Sequence, residues 1–204
     1  MKADAGVSAE PLFPVFLKLA GRDVLVVGGG LVAAAKIRAV QEAGASVTVV
    51  APDVVPDIAA AAVRIVRRGF RASDLDGISF VIAAATPPVN RVVARAAERR
   101  RLFVNAVDDP SNATAYLGGV LRRDSVTIAI STSGRAPALA GLLREAFDAL
   151  LPSDLDRWLA RADVLRRRWR KTSTPMAGRR PQLLAALDRL YAARRRGVGS
   201  GVQL

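Results

Sequence analysis

Asp23–Lys36, DVLVVGGGLVAAAK, decides the fold of this 204-residue chain. Val24 to Val27 form an apolar, mostly β-branched run, three glycines follow, and an alanine-rich stretch of helical character comes next, which reads as strand, tight turn and helix. The spacing Gly28-x-Gly30-x-x-Ala33 fits a dinucleotide-binding fingerprint. Gly28 can take a backbone conformation closed to other residues, Gly30 lets a pyrophosphate approach the main chain, and Ala33 lets the helix sit close to its strand. The N–H groups of Leu31 and Val32 would face the phosphates, aided by the helix dipole. Such glycine turns also occur without a ligand, so context matters. Here the helix ends at Ala43-Gly44 and Ser46–Val50, SVTVV, supplies a second buried strand, which closes a βαβ unit within roughly 30 residues.

Further strands are expected at Val63–Val66, Ile78–Ala83 and Leu102–Val107, with helices over about 55–61 and 89–100 between them. Pro11–Leu19, PLFPVFLKL, reads as an edge segment beside the first strand. The alternation predicts an α/β fold, a Rossmann-like doubly wound parallel sheet, whose ligands lie beyond the carboxyl ends of the strands. Gly28–Gly30, Ala51–Asp53, Thr86 and Asp108 all belong to that rim. After residue 113 the pattern changes: SVTIAIS at Ser125–Ser131 is a strand, a helix follows over about 138–150, and helical stretches cover 155–171 and 182–195. Thr172–Pro181 reads as a loop, residues 1–10 as disordered and the tail from Arg196 as mobile. The expected organisation is a nucleotide-binding domain at 11–113, a small mixed segment at 114–150, and a helical C-terminal region at 151–204 with a flexible tail.

Composition narrows the chemistry. Half the residues are hydrophobic, as a folded protein requires. Cysteine and histidine are absent, which excludes disulfides, thiolate sites, Ser-His triads and the commonest metal ligand. Proton transfer therefore falls to Asp, Glu, Lys, Tyr or water, and no metal site is expected. No apolar run approaches the about 20 residues needed to span a bilayer, and the N-terminus lacks a signal-peptide core, so the expectation is a cytoplasmic protein without membrane contact. The formal charge is +13 and comes almost wholly from arginine. It fits either a polyanionic partner or a compositional bias of the source. Sparse aromatics that do not interleave with the arginines argue against nucleic acid.

On the rim, Asp108 can be an acid/base group or, with Asp109, the cap of a turn before Pro110. Asp53 lies two residues past the usual ribose-binding position, held here by Ala51, and no Lys or Arg accompanies it to neutralise a 2′-phosphate; NAD is favoured over NADP. Ser131, Thr132, Ser133 and Gly134, between a strand and a helix start, suit an anion, while Thr132 or Ser133 equally suits a helix cap. Arg135 can pair bidentately with a carboxylate.

PLFPVFLKLAGRDVLVVGGGLVAAAK, GASVTVVAP, FVIAAAT, LFVNAVDDP and VTIAISTSGRAPALAGLLRE, in this order and over most of residues 11–150, resemble the siroheme synthase dehydrogenase domain and the stand-alone precorrin-2 dehydrogenases. The resemblance implies NAD-dependent oxidation of precorrin-2, a tetrapyrrole with multiple carboxylates, to sirohydrochlorin in siroheme or cobalamin-type synthesis. It also implies a homodimer joined through the segment after the nucleotide-binding domain. By position, Leu31 and Val32 match the pyrophosphate turn, Pro52 and Asp53 the adenosine-ribose contact, and Asp108 the family's essential acid. Ser131, Ser133 and Arg135 are then candidates to bind the substrate. Three departures bear on the substrate side: Pro87-Pro88 stands where relatives usually have acidic residues, Tyr116–Gly119 replaces an aromatic and proline pair, and Arg135-Ala136 replaces glycine or lysine followed by serine. The alternatives are a bifunctional enzyme that also inserts ferrous iron, and, from another class, a non-catalytic NAD-sensing module.

Overall fold

The computed structural model describes residues 11–198, with side chains described to Leu190. The expectations for residues 1–10 and for the tail beyond 198 lie outside the described residues. In chain order the elements are β1 (Asp23–Val27), α1 (Leu31–Glu42), β2 (Ser46–Val50), α2 (Pro56–Ala59), β3 (Arg64–Val66), β4 (Phe80–Ala83), α3 (Pro87–Glu98), β5 (Val104–Ala106), β6 (Gly119–Arg123), β7 (Val126–Ile130), α4 (Pro137–Leu150), α5 (Leu155–Lys171) and α6 (Met176–Val198). Short 3-10 turns occupy Ala72–Leu75 and Pro110–Asn112. The chain divides into two compact units, one comprising residues up to Gly118 with Ser131–Ala140, the other Gly119–Ile130 with residues from Gly141.

In the first unit five parallel strands run in the order β3-β2-β1-β4-β5, the expected α/β doubly wound sheet. Both faces are covered, which is why the strands are continuous apolar runs rather than alternating ones. Ala33, Ala34, Ile37 and Val40 of α1 pack on Val24, Val26, Val47, Val49 and Ile82. On the other face Val93, Ala94 and Ala97 of α3 pack on Leu25, Val27, Val81, Ala83 and Val104. The strand order reverses between β1 and β4, so the crevice for a ligand opens above that pair.

The first unit corrects the reading of Pro11–Leu19. This segment forms no strand beside β1, because both edges of β1 are already taken by β2 and β4. Phe13 and Phe16 are 86% and 72% exposed, and only Leu19 packs against the core.

In the second unit β6 and β7 form an antiparallel hairpin joined by Asp124 and Ser125. Arg123 donates from its guanidinium to the Leu151 carbonyl (2.9 Å) and pairs with the Asp148 carboxylate. Helix α6 begins at Met176, so most of the loop expected at 172–181 is helical. Packing overrides the proline and glycine signals: Trp169 of α5 donates its indole N–H to Gln182 (2.7 Å), the Arg179 guanidinium lies over the Trp169 ring, and Arg179 Nε donates to the Thr174 carbonyl (3.0 Å). Pro181 lies inside the helix. Among the described residues no helix is long and apolar enough to cross a membrane.

Candidate active site

The turn after β1 is the centre of the site. Gly28 has φ +130°, and a Cβ there would sit 2.2 Å from the Ala84 carbonyl oxygen, so glycine is required on both counts. Its N–H donates to the Val50 carbonyl (3.0 Å), which fixes the turn against the end of β2. Gly29, to which the fingerprint gives no task, is as tightly constrained: a Cβ there would meet the Asp53 carbonyl oxygen at 1.8 Å, and its own carbonyl accepts the Val55 N–H at 2.8 Å. That contact locks the Pro52–Asp53 loop onto the glycine turn. Gly30 differs, since a Cβ there would meet nothing within 4 Å.

Gly30 is also the N-cap of α1, and no side chain caps the helix. The first-turn N–H groups, including those of Leu31 and Val32, have no partners within the helix. This fits a pyrophosphate, whose oxygens replace the missing caps and whose charge is favoured by the helix dipole. Ala33 is fully buried under the turn, while Leu31 and Val32 are exposed.

Neighbouring strand ends complete the rim. Pro52 and Asp53 follow β2 and are exposed. Thr86 is the exposed N-cap of α3; its carbonyl accepts the Asn90 N–H (2.9 Å) and its hydroxyl makes no capping bond. Asp108 follows β5, which is held to β4 by the Val107 N–H to Ala83 carbonyl bond (2.9 Å).

The two adjacent aspartates have different surroundings. Asp109 is occupied by its own turn, accepting from the Ser111 hydroxyl and the Asn112 amide, each at 2.8 Å. The Ser111 bond first, and Asn112 second, hold its carboxyl below the usual carboxylate range. Asp108 is exposed, has no hydrogen-bond partner among the described residues, and takes a left-handed conformation at φ +56°. Aspartate tolerates that region better than most residues, and such outliers concentrate at functional positions.

Ser131, Ser133 and Arg135 lie on the loop between β7 and α4. The backbone at Gly134 approaches Pro110 and Tyr116, whose hydroxyl donates to the Pro110 carbonyl (3.0 Å), so the loop sits beside the turn that follows Asp108. Ser131 Oγ accepts the Ser133 N–H (3.1 Å), and Thr132 Oγ1 accepts the Ala136 N–H (3.2 Å). Helix α4 begins at Pro137, so the Thr132 bond lies in the loop before the helix and not at the second or third helical amide, from which an N-cap side chain accepts. Ser133 has φ +54°, and the Arg135 side chain is exposed.

Gly29 and Asn90 build this rim without having been identified from sequence. Asn90 is buried, and its amide oxygen accepts the Ala85 N–H. A signal for it exists: Asn90, Val93, Ala94 and Ala97 form one helical stripe, and a lone amide on a stripe that faces the core needs a partner there.

A parallel sheet of order 3-2-1-4-5 with an open glycine turn at its switch point defines a dinucleotide-binding Rossmann protein. The family model described as “Putative NAD(P)-binding” matches residues 15–119. Siroheme synthase 2 of Cronobacter sakazakii is 43% identical over 172 residues, covering 82% of this chain and 38% of that protein. Siroheme synthase 3 of Aeromonas hydrophila is 39% identical over 191 residues, covering 90% and 41%. The chain thus spans about two fifths of the length of these relatives. The solved structure of SirC, precorrin-2 dehydrogenase, superposes with a TM-score of 0.65 at 26% identity, over 85% of this chain and 88% of that one. The chain belongs to the NAD(P)-binding family that comprises the N-terminal domains of siroheme synthases and the precorrin-2 dehydrogenases.

Proposed function

We propose that this chain oxidises precorrin-2 to sirohydrochlorin in siroheme or cobalamin-type synthesis, with NAD as acceptor. The observation that carries the reading is the structural match to a precorrin-2 dehydrogenase over 85% of this chain and 88% of that one. In that reaction the tetrapyrrole loses two electrons and two protons; bound at the glycine turn, NAD would supply the hydride acceptor, and one proton is left for a protein group to accept. The exposed carboxylate of Asp108, unpartnered among the described residues, is the group we assign to that proton. Asp109, its carboxylate already engaged by Ser111 and Asn112, stays an anion that holds the turn.

Gly28, Gly30, Leu31 and Val32 hold the pyrophosphate in this reading, Pro52 and Asp53 contact the adenosine ribose, and Thr86 borders the nicotinamide. Asp53 repels a 2′-phosphate, which favours NAD over NADP. Ser131, Ser133 and Arg135 take carboxylates of the substrate, Arg135 as the cation. The working form is a homodimer. Support for it comes from α4, which exposes Leu139, Leu142, Leu143, Phe147 and Leu150. The reading sets the enzyme in the cytoplasm, where the pool of NAD is turned over.

The test is NADH formation from enzymatically generated precorrin-2 under anaerobic conditions. Wild type is expected to turn over, and Asp108→Ala to lose about 100-fold or more in kcat while still binding NAD. Wild type that binds NAD but does not turn over would remove the dehydrogenase and leave the NAD sensor, which has no use for Asp108.

A further inference from the structure

Among the described residues the buried polar side chains are Asn90 and Asn105. Asn90 is 2% exposed and sits in the fourth position of α3, where alanine is the better helix former and where its stripe-mates Val93, Ala94 and Ala97 are apolar and buried. Its amide joins two loops that the sheet brings side by side. Oδ1 accepts the Ala85 N–H at 2.9 Å, in the segment that leaves β4. Nδ2 donates to the Val107 carbonyl at 3.5 Å, the residue immediately before Asp108. Both partners are main-chain groups, so the amide fixes backbone rather than another side chain.

The Ala84–Ala85 segment is also the surface against which Gly28 lies, with Ala84 O and Ala85 N both within 3.0 Å of where a Gly28 Cβ would be. One continuous series of contacts therefore runs from the phosphate turn through Ala84–Ala85 and the Asn90 amide to Val107 and Asp108. We propose that Asn90 is a positioning residue, cross-linking the loops that end β4 and β5 so that the Asp108 carboxylate is set in register with the cofactor turn. The inference rests on the proton-accepting role assigned above to Asp108. The long Nδ2 contact is the adjustable link, since hydrogen bonds around reacting groups often tighten only when ligands are bound.

The experiment compares Asn90→Ala and Asn90→Asp with wild type in the 204-residue chain. Asn90→Ala loses both bonds: kcat is expected to fall about 10- to 100-fold, while the Kd for NAD stays within about threefold because the glycine turn is intact. In Asn90→Asp an ionised carboxylate still accepts from Ala85 but faces the Val107 carbonyl with a second acceptor. Once protonated, the carboxyl reproduces the acceptor and donor pair of the amide, and burial raises its pKa. Its kcat relative to wild type is therefore expected to recover as pH is lowered, and that of Asn90→Ala is not. Hydrogen exchange of the Ala85 and Val107 amides, bonded to Asn90 Oδ1 and to the Ala83 carbonyl, supplies a readout independent of turnover, with faster exchange at both expected in Asn90→Ala. Unchanged kcat in Asn90→Ala overturns the proposal. Parallel losses of melting temperature, NAD binding and kcat in both variants, without acid recovery, also overturn it by reducing Asn90 to a core residue. Failure of wild type to turn over precorrin-2 strikes the proposed function instead, and the exchange of the two amides still decides whether Asn90 holds the two loops.

Discussion

Three successive glycines answer to three different constraints. At Gly28 the backbone angle and the approach of Ala84 both exclude a side chain, at Gly29 only the approach of Asp53 does, and at Gly30 neither applies. Substituting alanine therefore separates folding from binding. Gly29→Ala must displace main chain, and a loss of about 2–3 kcal/mol in stability is expected from chemical denaturation. Gly30→Ala should cost less than about 1 kcal/mol, as for an N-cap change from glycine to alanine. It should nevertheless weaken NAD by tenfold or more in a fluorescence titration, about 1.4 kcal/mol, because its methyl group fills the space left for the pyrophosphate. Equal behaviour of the two variants would mean that the open side of Gly30 does not face the cofactor. Of the three glycines, the spacing of the fingerprint singles out Gly28 and Gly30 in the sequence. Gly29 was not legible there, because its partner is main chain from another loop, and neither was Asn90, whose two partners follow different strands.

The end of β3 illustrates how single elements are secured. Arg68, just past that strand, donates to both carboxylate oxygens of Asp74 in the 3-10 turn Ala72–Leu75, and Asp74 also accepts the Arg71 N–H at 2.8 Å. The turn places Leu75, 2% exposed, in the core against α3. The Arg68 hydrogen bonds, more than any other contact, hold the Asp74 carboxyl below its ordinary 3.8. A folded-state value below the unfolded one contributes stability that is fully present above pH 3.8 and disappears as pH falls through the folded-state value. Asp74→Asn is expected to be about 1 kcal/mol less stable at neutral pH, allowing for solvent around the guanidinium. Denaturation curves of the two proteins should draw together as pH falls from 3.8 through the lower folded-state value, and a gap that stays constant over that fall would point to packing rather than charge. The elements legible in the sequence were β1 to β5 and β7, as short apolar or β-branched runs, and α1 to α5, as the longer stretches between and after them. β6 was missed because GVLRR carries a glycine and two arginines, and its strand character comes from pairing with β7. The first turns of α6 were missed because Gly178 and Pro181 oppose a helix that Trp169 and Gln182 hold in place.

For the whole molecule, the apolar side chains left uncovered bear on assembly. Leu139, Leu142, Leu143, Phe147 and Leu150 recur along α4 at intervals that form one broad stripe, and the exposed ones include Leu142 at 64% and Leu150 at 77%. A second copy of the chain is the occupant we propose for this stripe. Light scattering should give a dimer mass for the wild type and a monomer mass for Leu142→Glu/Leu150→Glu. A variant that remains dimeric would move the contact away from α4.

The path of the chain between its two units carries a further consequence, for the order in which the protein can be finished during synthesis. Residues up to Gly118 include the whole parallel sheet, yet Ser131–Ala140 of the same unit follow only after the β6–β7 hairpin of the other. A ribosome adding about 5–20 residues per second therefore releases a complete sheet before it supplies the segment that closes over Pro110 and Tyr116. A nascent chain stopped after Gly118 would carry the glycine turn and Asp108 without the Gly134 contact. No single cut in the gene can separate the sheet together with that segment from the hairpin that lies between them.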